Sequence, residues 1–238
     1  FKEEIMFRKN ISLIAVLALF TGCAEKNFEN QTYDLSNHWF NMKNLANNKI
    51  VINKNLTQQF NDDIETSKYT DYVVYKKAQE LNQYEQYTFF EDINKQNYKS
   101  MLTNKSADLK YNILKNEVKE TFVAENETSN YKREVKINDK VIEENNADGS
   151  SFSCKFSNYY ENLNVKDKIN EFFNSKYPVL DKNYKNVMEL ECKDSFVDGE
   201  YYIYMAKDIG TIFYMRNDRE DNSIEESFSI LESQTIID

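Results

Sequence analysis

Three cysteines (Cys23, Cys154, Cys192) and one histidine (His38) stand against 40 Asp and Glu residues in this chain. Nucleophilic catalysis by a Ser–His–Asp or Cys–His set needs an imidazole to carry the proton. His38 is the single candidate, and no Gly-x-Ser-x-Gly occurs. A catalytic zinc ordinarily takes several imidazole ligands, so one histidine argues against it. Oxygen-only cation sites are chemically open. The densest acidic run is Asp218, Glu220, Asp221, Asn222, Glu225 and Glu226. An EF-hand loop counted from Asp218 requires Gly at 223 and Glu at 229, and serine holds both places. The run therefore reads as a solvated hairpin turn. A glycosidase needs two buried, opposed carboxylates, and no spacing marks such a pair. Gly22, Gly149, Gly199 and Gly210 are too scattered to cradle a phosphate. No catalytic residue, metal site or cofactor is expected from these residue types.

The N-terminus carries a different signal. Arg8 and Lys9 precede Ile11 to Phe20, ten apolar or near-apolar residues that run into Thr21-Gly22-Cys23. A basic start, a short greasy segment and small residues make the three-part build of a secretory signal. The apolar run is shorter than the roughly 20 residues a membrane-spanning helix needs. Phe20-Thr21-Gly22-Cys23 resembles the lipobox of bacterial lipoproteins, with Phe20 where an aliphatic residue is usual. That resemblance implies cleavage after Gly22 and a diacylglycerol thioether on Cys23. Ala24, rather than aspartate, then implies an outer-membrane anchor facing the periplasm; the alternative is the outer face of the cytoplasmic membrane. Met6-Phe7-Arg8-Lys9-Asn10 reads as the natural start of such a signal.

If lipid takes Cys23, Cys154 and Cys192 remain as an even pair in an oxidising compartment, and a disulfide between them is expected. Its closed loop of 39 residues corresponds to about 4 kcal/mol in the chain-entropy model. Removing Phe1 to Gly22 takes away three basic and two acidic residues, changing the formal charge from −10 to −11. Such a chain is repelled by nucleic acid and anionic headgroups. Its partners are therefore expected to be the membrane through the N-terminal lipid, with an envelope protein or a hydrophobic ligand as further candidates, and no nucleic acid.

These residues need a scaffold, and the pattern points to strands. Aromatics make up 14% of the chain, too many for a disordered tether and suited to a sheet. With one Pro and four Gly, tight turns must rely on Asn and Asp. Residues 1–22 read as the signal, 23–37 as a polar tether and 38–238 as one β-rich body. His38 to Asn48 reads as a short helix or a strand. Leu56, Phe60 and Ile64 fall at helical spacing. Strands are expected at Tyr72–Tyr75, Tyr87–Phe90, Tyr98–Leu102, Leu109–Ile113, Val118–Phe122 and Tyr131–Ile137. Asn138-Asp139 suits a hairpin turn before Val141-Ile142, and Asp148-Gly149 a turn before the Cys154 strand. A helix over Val165 to Lys176 has Asn164 as N-cap, Val165, Ile169, Phe172 and Phe173 on one face, and Pro178 beyond it. Val187–Cys192, Tyr201–Met215 (broken near Asp208–Gly210) and Ile224–Leu231 complete the strands.

The run from Glu200 to Ile212, with Tyr201-Tyr202-Ile203-Tyr204 leading into Ala206-Lys207-Asp208-Ile209-Gly210, is similar to a closing hairpin of uncharacterised β-rich envelope lipoproteins. Asp208 stands where those proteins often have glycine. Tyr159, Tyr160, Tyr201, Tyr202, Tyr204, Phe213 and Tyr214 suit a concave binding face, but core or edge packing is the commoner use of such residues. The expected fold class is α+β and strand-dominated. It is a curved antiparallel sheet, meander or half-barrel-like, with one helix at 165–176 packed on it. A helix on the concave side would resemble the half-barrels of periplasmic lipoprotein carriers. The functional expectation is a membrane-anchored, non-enzymatic binding or structural module. A hydrophobic-ligand carrier and a hydrolase using carboxylates or an oxygen-ligated metal are the alternatives.

Overall fold

The computed structural model of the chain describes residues 28–124, 126–145, 151–174, 176–195, 198–220 and 223–238. The Phe20–Cys23 motif, the apolar run before it and the Asp148-Gly149 turn lie outside the described residues. The chain divides into two compact units, residues 1–31 and 32–238; in the first, the described part is a turn in which Gln31 N–H donates to the Phe28 carbonyl. The second unit is the body. Among the described residues, no helix is long and apolar enough to cross a membrane.

The body opens with strand β1 (Tyr33–Asp34) and helices α1 (Ser36–Trp39) and α2 (Met42–Ala46). Strands β2 (Ile50–Asn61), β3 (Ile64–Lys77) and β4 (Gln83–Phe89) follow, then helix α3 (Tyr98–Thr103). Next come β5 (Leu109–Ile113), β6 (Glu117–Phe122), β7 (Glu127–Lys132), β8 (Glu134–Val135), β9 (Lys140–Asn145) and β10 (Ser151–Asn164). Helix α4 (Val165–Phe172) leads to β11 (Asn183–Asp194), β12 (Asp198–Ala206), β13 (Gly210–Glu220) and β14 (Ser223–Ile237).

Twelve strands form one antiparallel sheet in the order β7-β6-β5-β4-β3-β2-β14-β13-β12-β11-β10-β9. Two six-strand meanders are thus joined where the last strand, β14, pairs with β2. The sheet curls nearly into a barrel, bringing its edges β7 and β9 together. No backbone pairing joins these edges among the described residues. Side chains bridge them instead: Ser129 Oγ donates to Glu144 Oε1 at 2.7 Å. Between the two edges in sequence, β8 leaves the sheet to pair with β1, setting Tyr33 opposite Val135. Arg133 marks the break. Its backbone carbonyl accepts from Leu35 N–H at 2.7 Å, and its guanidinium grips Asp34 through Nη2 at 2.7 Å and Nε at 3.1 Å.

Alternation along the strands separates two faces. Tyr201, Ile203 and Met205 join the interior core with Leu35, Phe40, Tyr84, Tyr111, Phe156 and Leu190. Tyr202, Tyr204 and Ala206 face outward, where Val165, Ile169 and Phe173 of the α4 region pack on them. The helix therefore covers the outer face, not the concave side. The inner side is filled by the β1–α2 segment, with Leu35 and Leu45 fully buried and Phe40 edge-on to Tyr111 at 4.5 Å. Burial of Tyr33, Leu35 and Ser36 also brings residues 33–37, read from sequence as the end of a tether, into the body. A third apolar cluster lies under α3 on the β2–β4 half, around Ile52, Val74 and Tyr87.

Turn chemistry follows composition. Among the described residues, the nine non-glycine positions with positive φ are all Asn or Asp, the residue types whose short polar side chains tolerate the left-handed region. Asp62 and Asp63 (φ 48° and 69°) make the two-residue loop between β2 and β3, so the helix suggested by Leu56, Phe60 and Ile64 is a hairpin. A spacing of four also keeps residues on one face of a strand, which made the pattern ambiguous. The converse error falls at Tyr98–Leu102, expected as a strand and found as α3. Tyr98, Met101 and Leu102, at i, i+3 and i+4, pack together against the third cluster. Asn138 (φ 73°) does turn the chain, but the strands flanking it pair elsewhere: β8 with β1 and β9 with β10. Helix α4 starts as expected, with Asn164 Oδ1 accepting from Asp167 N–H at 2.9 Å. It ends at Phe172, short of Lys176, because Asn174 takes the left-handed conformation (φ 52°) that terminates helices.

Candidate functional site

The barrel interior retains a cavity of about 330 Å³. Register explains its polar wall. Tyr111 on β5 lies directly opposite Glu120 on β6, and Glu120 lies opposite Ser129 on β7. Tyr131, two residues on from Ser129, is diagonal to Glu120, within reach of a long side chain. On the far side of the seam, Glu144 of β9 is the direct partner of Phe152 on β10. Leu190, Ile203 and Met205 make an aliphatic part of the wall. Trp39, the single tryptophan of the chain, comes from α1 and stacks on Tyr131 with centroids 4.9 Å apart.

Glu120 is the electrostatic centre of this wall, with 6% of its surface exposed. Burial pushes its carboxyl above the usual carboxylate range. The hydroxyls of Tyr131 and Tyr111 pull the other way, and the charge of Glu144 adds to the rise. Tyr131 donates a short hydrogen bond to Glu120 Oε2, and its oxygen also lies 3.2 Å from Glu144 Oε1. Tyr111 donates to Gln86 Oε1 at 2.8 Å. Burial, followed by the charge of Glu120, raises the pKa of both phenols, and burial raises that of Tyr75 as well. The raised phenols keep their protons, and Tyr111 and Tyr131 use them as donors. Among the described residues, no Lys, Arg or His lines the cavity. A larger hollow of about 530 Å³ lies on the outer surface beside α3. It is open to solvent, and its cation Lys105 is already bonded to the Thr88 carbonyl and paired with Asp108.

Cys154 and Cys192 form a disulfide across β10 and β11, as direct register partners with Cα atoms 4.0 Å apart. Their neighbours Phe152 and Leu190, two residues away on the same strand faces, line the cavity. The bridge thus ties the strands on either side of α4 and stiffens one cavity wall. His38 is buried within the β1–α2 segment that plugs the barrel, its Nδ1 3.2 Å from the Asp34 carbonyl and its Nε2 without a partner among the described residues. Burial lowers its pKa, and it does not line the cavity. The acidic run near 218–226 falls on the β13–β14 hairpin, with Asp218 opposite Glu225. Glu226 is bonded to Tyr177 and Lys176. Among the described residues, no group of three or more His, Cys, Asp or Glu is placed to hold a metal. The tyrosine-rich strands divide between faces. Tyr159 and Tyr201 pack with the interior core, whereas Tyr204 stacks on Phe213 at 4.0 Å on the outside.

Sequence reasoning therefore missed the residues that make the cavity polar. One signal was present: Glu120 stands between Val118 and Phe122 at the i±2 positions, an acid on what the alternation marks as an apolar face. Nothing in the sequence pairs it with Glu144, because that approach depends on sheet closure. Compared with protein-family models, curated proteins and solved structures, the chain has no match.

Proposed function

We propose that this chain is a bacterial envelope lipoprotein whose body is a non-enzymatic binding module with the barrel interior as its site. The supporting observation is the 330 Å³ cavity walled by aromatic and aliphatic side chains, within the size range of small-molecule pockets. The cavity lies beside the seam that Ser129 and Glu144 bridge. The N-terminal motif supports the anchor: signal cleavage before Cys23, lipid on its sulfur and, with Ala24, an outer-membrane location facing the periplasm. Two acyl chains give the stable attachment that one cannot. The disulfide accords with an oxidising compartment.

The specific observation favouring a hydrolase is the pair Glu120 and Glu144. Tyr131's hydroxyl stands between these carboxyls, occupying the space in which a glycosidase pair would flank its substrate. That arrangement fits ligand binding better than bond cleavage.

Two measurements test the proposal. Cys23→Ser should release the protein from membranes and leave the signal uncleaved; a variant that is processed and still sediments with membranes refutes the anchor. The uncharged probe N-phenyl-1-naphthylamine should bind saturably, one per chain, and accept excitation energy from Trp39. Ile203→Phe, which adds bulk to the wall, should abolish this. Unsaturable uptake, or uptake indifferent to Ile203→Phe, refutes the cavity as a site.

A further inference from the structure

Resting on the reading of the barrel interior as a binding site, we infer that its ligand is an organic cation, an alkylammonium head group held among the aromatic rings beside Glu120 and Glu144. Three features of the wall lead there. First, aromatic side chains dominate it: Trp39, Tyr75, Tyr111 and Tyr131 line the cavity together with Phe122 and Phe152. Rings of this kind attract cations through their quadrupoles, and desolvated sites gain the most. Second, its charges have one sign: among the described residues, two carboxylates line the cavity and no basic residue does. Third, among the described residues the acids have hydrogen-bond donors but no cationic partner in the cavity wall. Tyr131 has one hydroxyl proton to offer two carboxyls, and it gives that proton to Glu120. Glu144 receives a further hydrogen bond from Ser129, but among the described residues no positive charge in the cavity wall offsets the pair. A neutral apolar ligand would fill the volume and leave this deficit in place. An anion would meet repulsion from both carboxylates. An ammonium group supplies the missing charge and presents alkyl surface to the rings.

The wall also bounds the ligand's size. A cavity of about 330 Å³ suits a quaternary ammonium with a short tail. The aliphatic part of the wall, Leu190, Ile203 and Met205, would take such a tail.

The test uses the full-length protein in mild non-ionic detergent and two probes of equal shape: choline and its uncharged isostere 3,3-dimethylbutan-1-ol. Trp39 is the single tryptophan and lines the cavity, so its fluorescence reads occupancy directly. Choline should give a saturable change, with the isostere at least tenfold weaker. Glu120→Gln and Glu144→Gln should each weaken choline at least fivefold and leave the isostere unaffected. Glu144 is half-buried at the rim, so its variant keeps the test valid should Glu120→Gln fold poorly. Isostere binding as tight as choline, or choline binding indifferent to both variants, overturns the inference. If N-phenyl-1-naphthylamine is taken up and choline is not, the ligand class is wrong and the binding-module reading stands. If neither probe enters, both fall.

Discussion

The phenol of Tyr131 on β7 reaches across the sheet to give its proton to the buried carboxyl of Glu120 on β6. The same ring carries the indole of Trp39 on its face. Tyr131→Phe keeps the ring and removes the donor, leaving Glu120 buried and short of a partner. A loss of about 1–3 kcal/mol is expected, the cost of an unsatisfied buried polar group. Chemical denaturation measures it, and in a Glu120→Gln background the loss should shrink because the two side chains act as one unit. An additive double mutant would contradict the coupling.

Glu120 should also make stability depend on pH. Its folded pKa lies above the ordinary carboxylate value because of burial, which outweighs the hydroxyls of Tyr131 and Tyr111, with Glu144 adding to the rise. An acid raised in this way holds its proton longer in the folded state. Its effect on stability is therefore most favourable below the unfolded pKa, and is lost as pH climbs through the folded one. Replacing it with Gln removes that loss. The melting temperature of Glu120→Gln relative to the parent should be higher at pH 7 than at pH 4. A difference that is flat, or reversed, across that range would show that Glu120 is not held up by its surroundings.

Asp34 works with the opposite sign. Burial disfavours its charge, but hydrogen bonds from Arg133 and Ser36, with the guanidinium charge, outweigh burial and hold its carboxyl below the usual range. Its contribution is present above the unfolded carboxylate pKa and fades as pH falls through the folded value. Because both side chains are about 30% exposed, screening limits Asp34→Asn to a cost of about 1 kcal/mol. The informative readout is local. The segment from Tyr33 to Ala46 should become more sensitive to limited proteolysis while the sheet stays intact. Unchanged cleavage would mean that Leu35, Phe40 and Leu45 hold the plug without this pair.

Reducing the Cys154–Cys192 bridge, or replacing both residues with serine, should cost about 2–4 kcal/mol. Thermal melts with and without reductant measure this. Non-reduced peptide mapping should recover the two cysteines joined, and free thiols in fresh protein would count against the bridge. Its removal should also weaken ligand uptake, since Phe152 and Leu190 sit two residues from the bridged positions.

Local chemistry was readable wherever it acts over a few residues. A chain with one proline and four glycines has to turn at Asn and Asp, and it does so at Asp62-Asp63, Asn138 and Asp208. Asn164 caps α4 because its side chain reaches only three residues ahead. Alternation marked β5 and β6 because one face of each strand is dry; β11, read from the same kind of pattern, is buried on both faces from Val187 to Leu190. Readings failed where two periods coincide, as at Leu56, Phe60 and Ile64, or where a short helix borrows its stability from packing, as at Tyr98–Thr103. Longer reach was out of view altogether. Which face of β12 turns inward, why β8 leaves the sheet for β1, and how Glu144 comes to lie beside Tyr131 all follow from closing a twelve-strand sheet around the plug carried by Trp39 and Phe40. Closure depends on twist, register and the volume of everything inside, quantities that belong to the assembled sheet. Residue order specifies where each strand bends and which side is apolar; the meeting of β7 with β9, and with it the acidic, aromatic cavity, exists only once those strands have curled back upon each other.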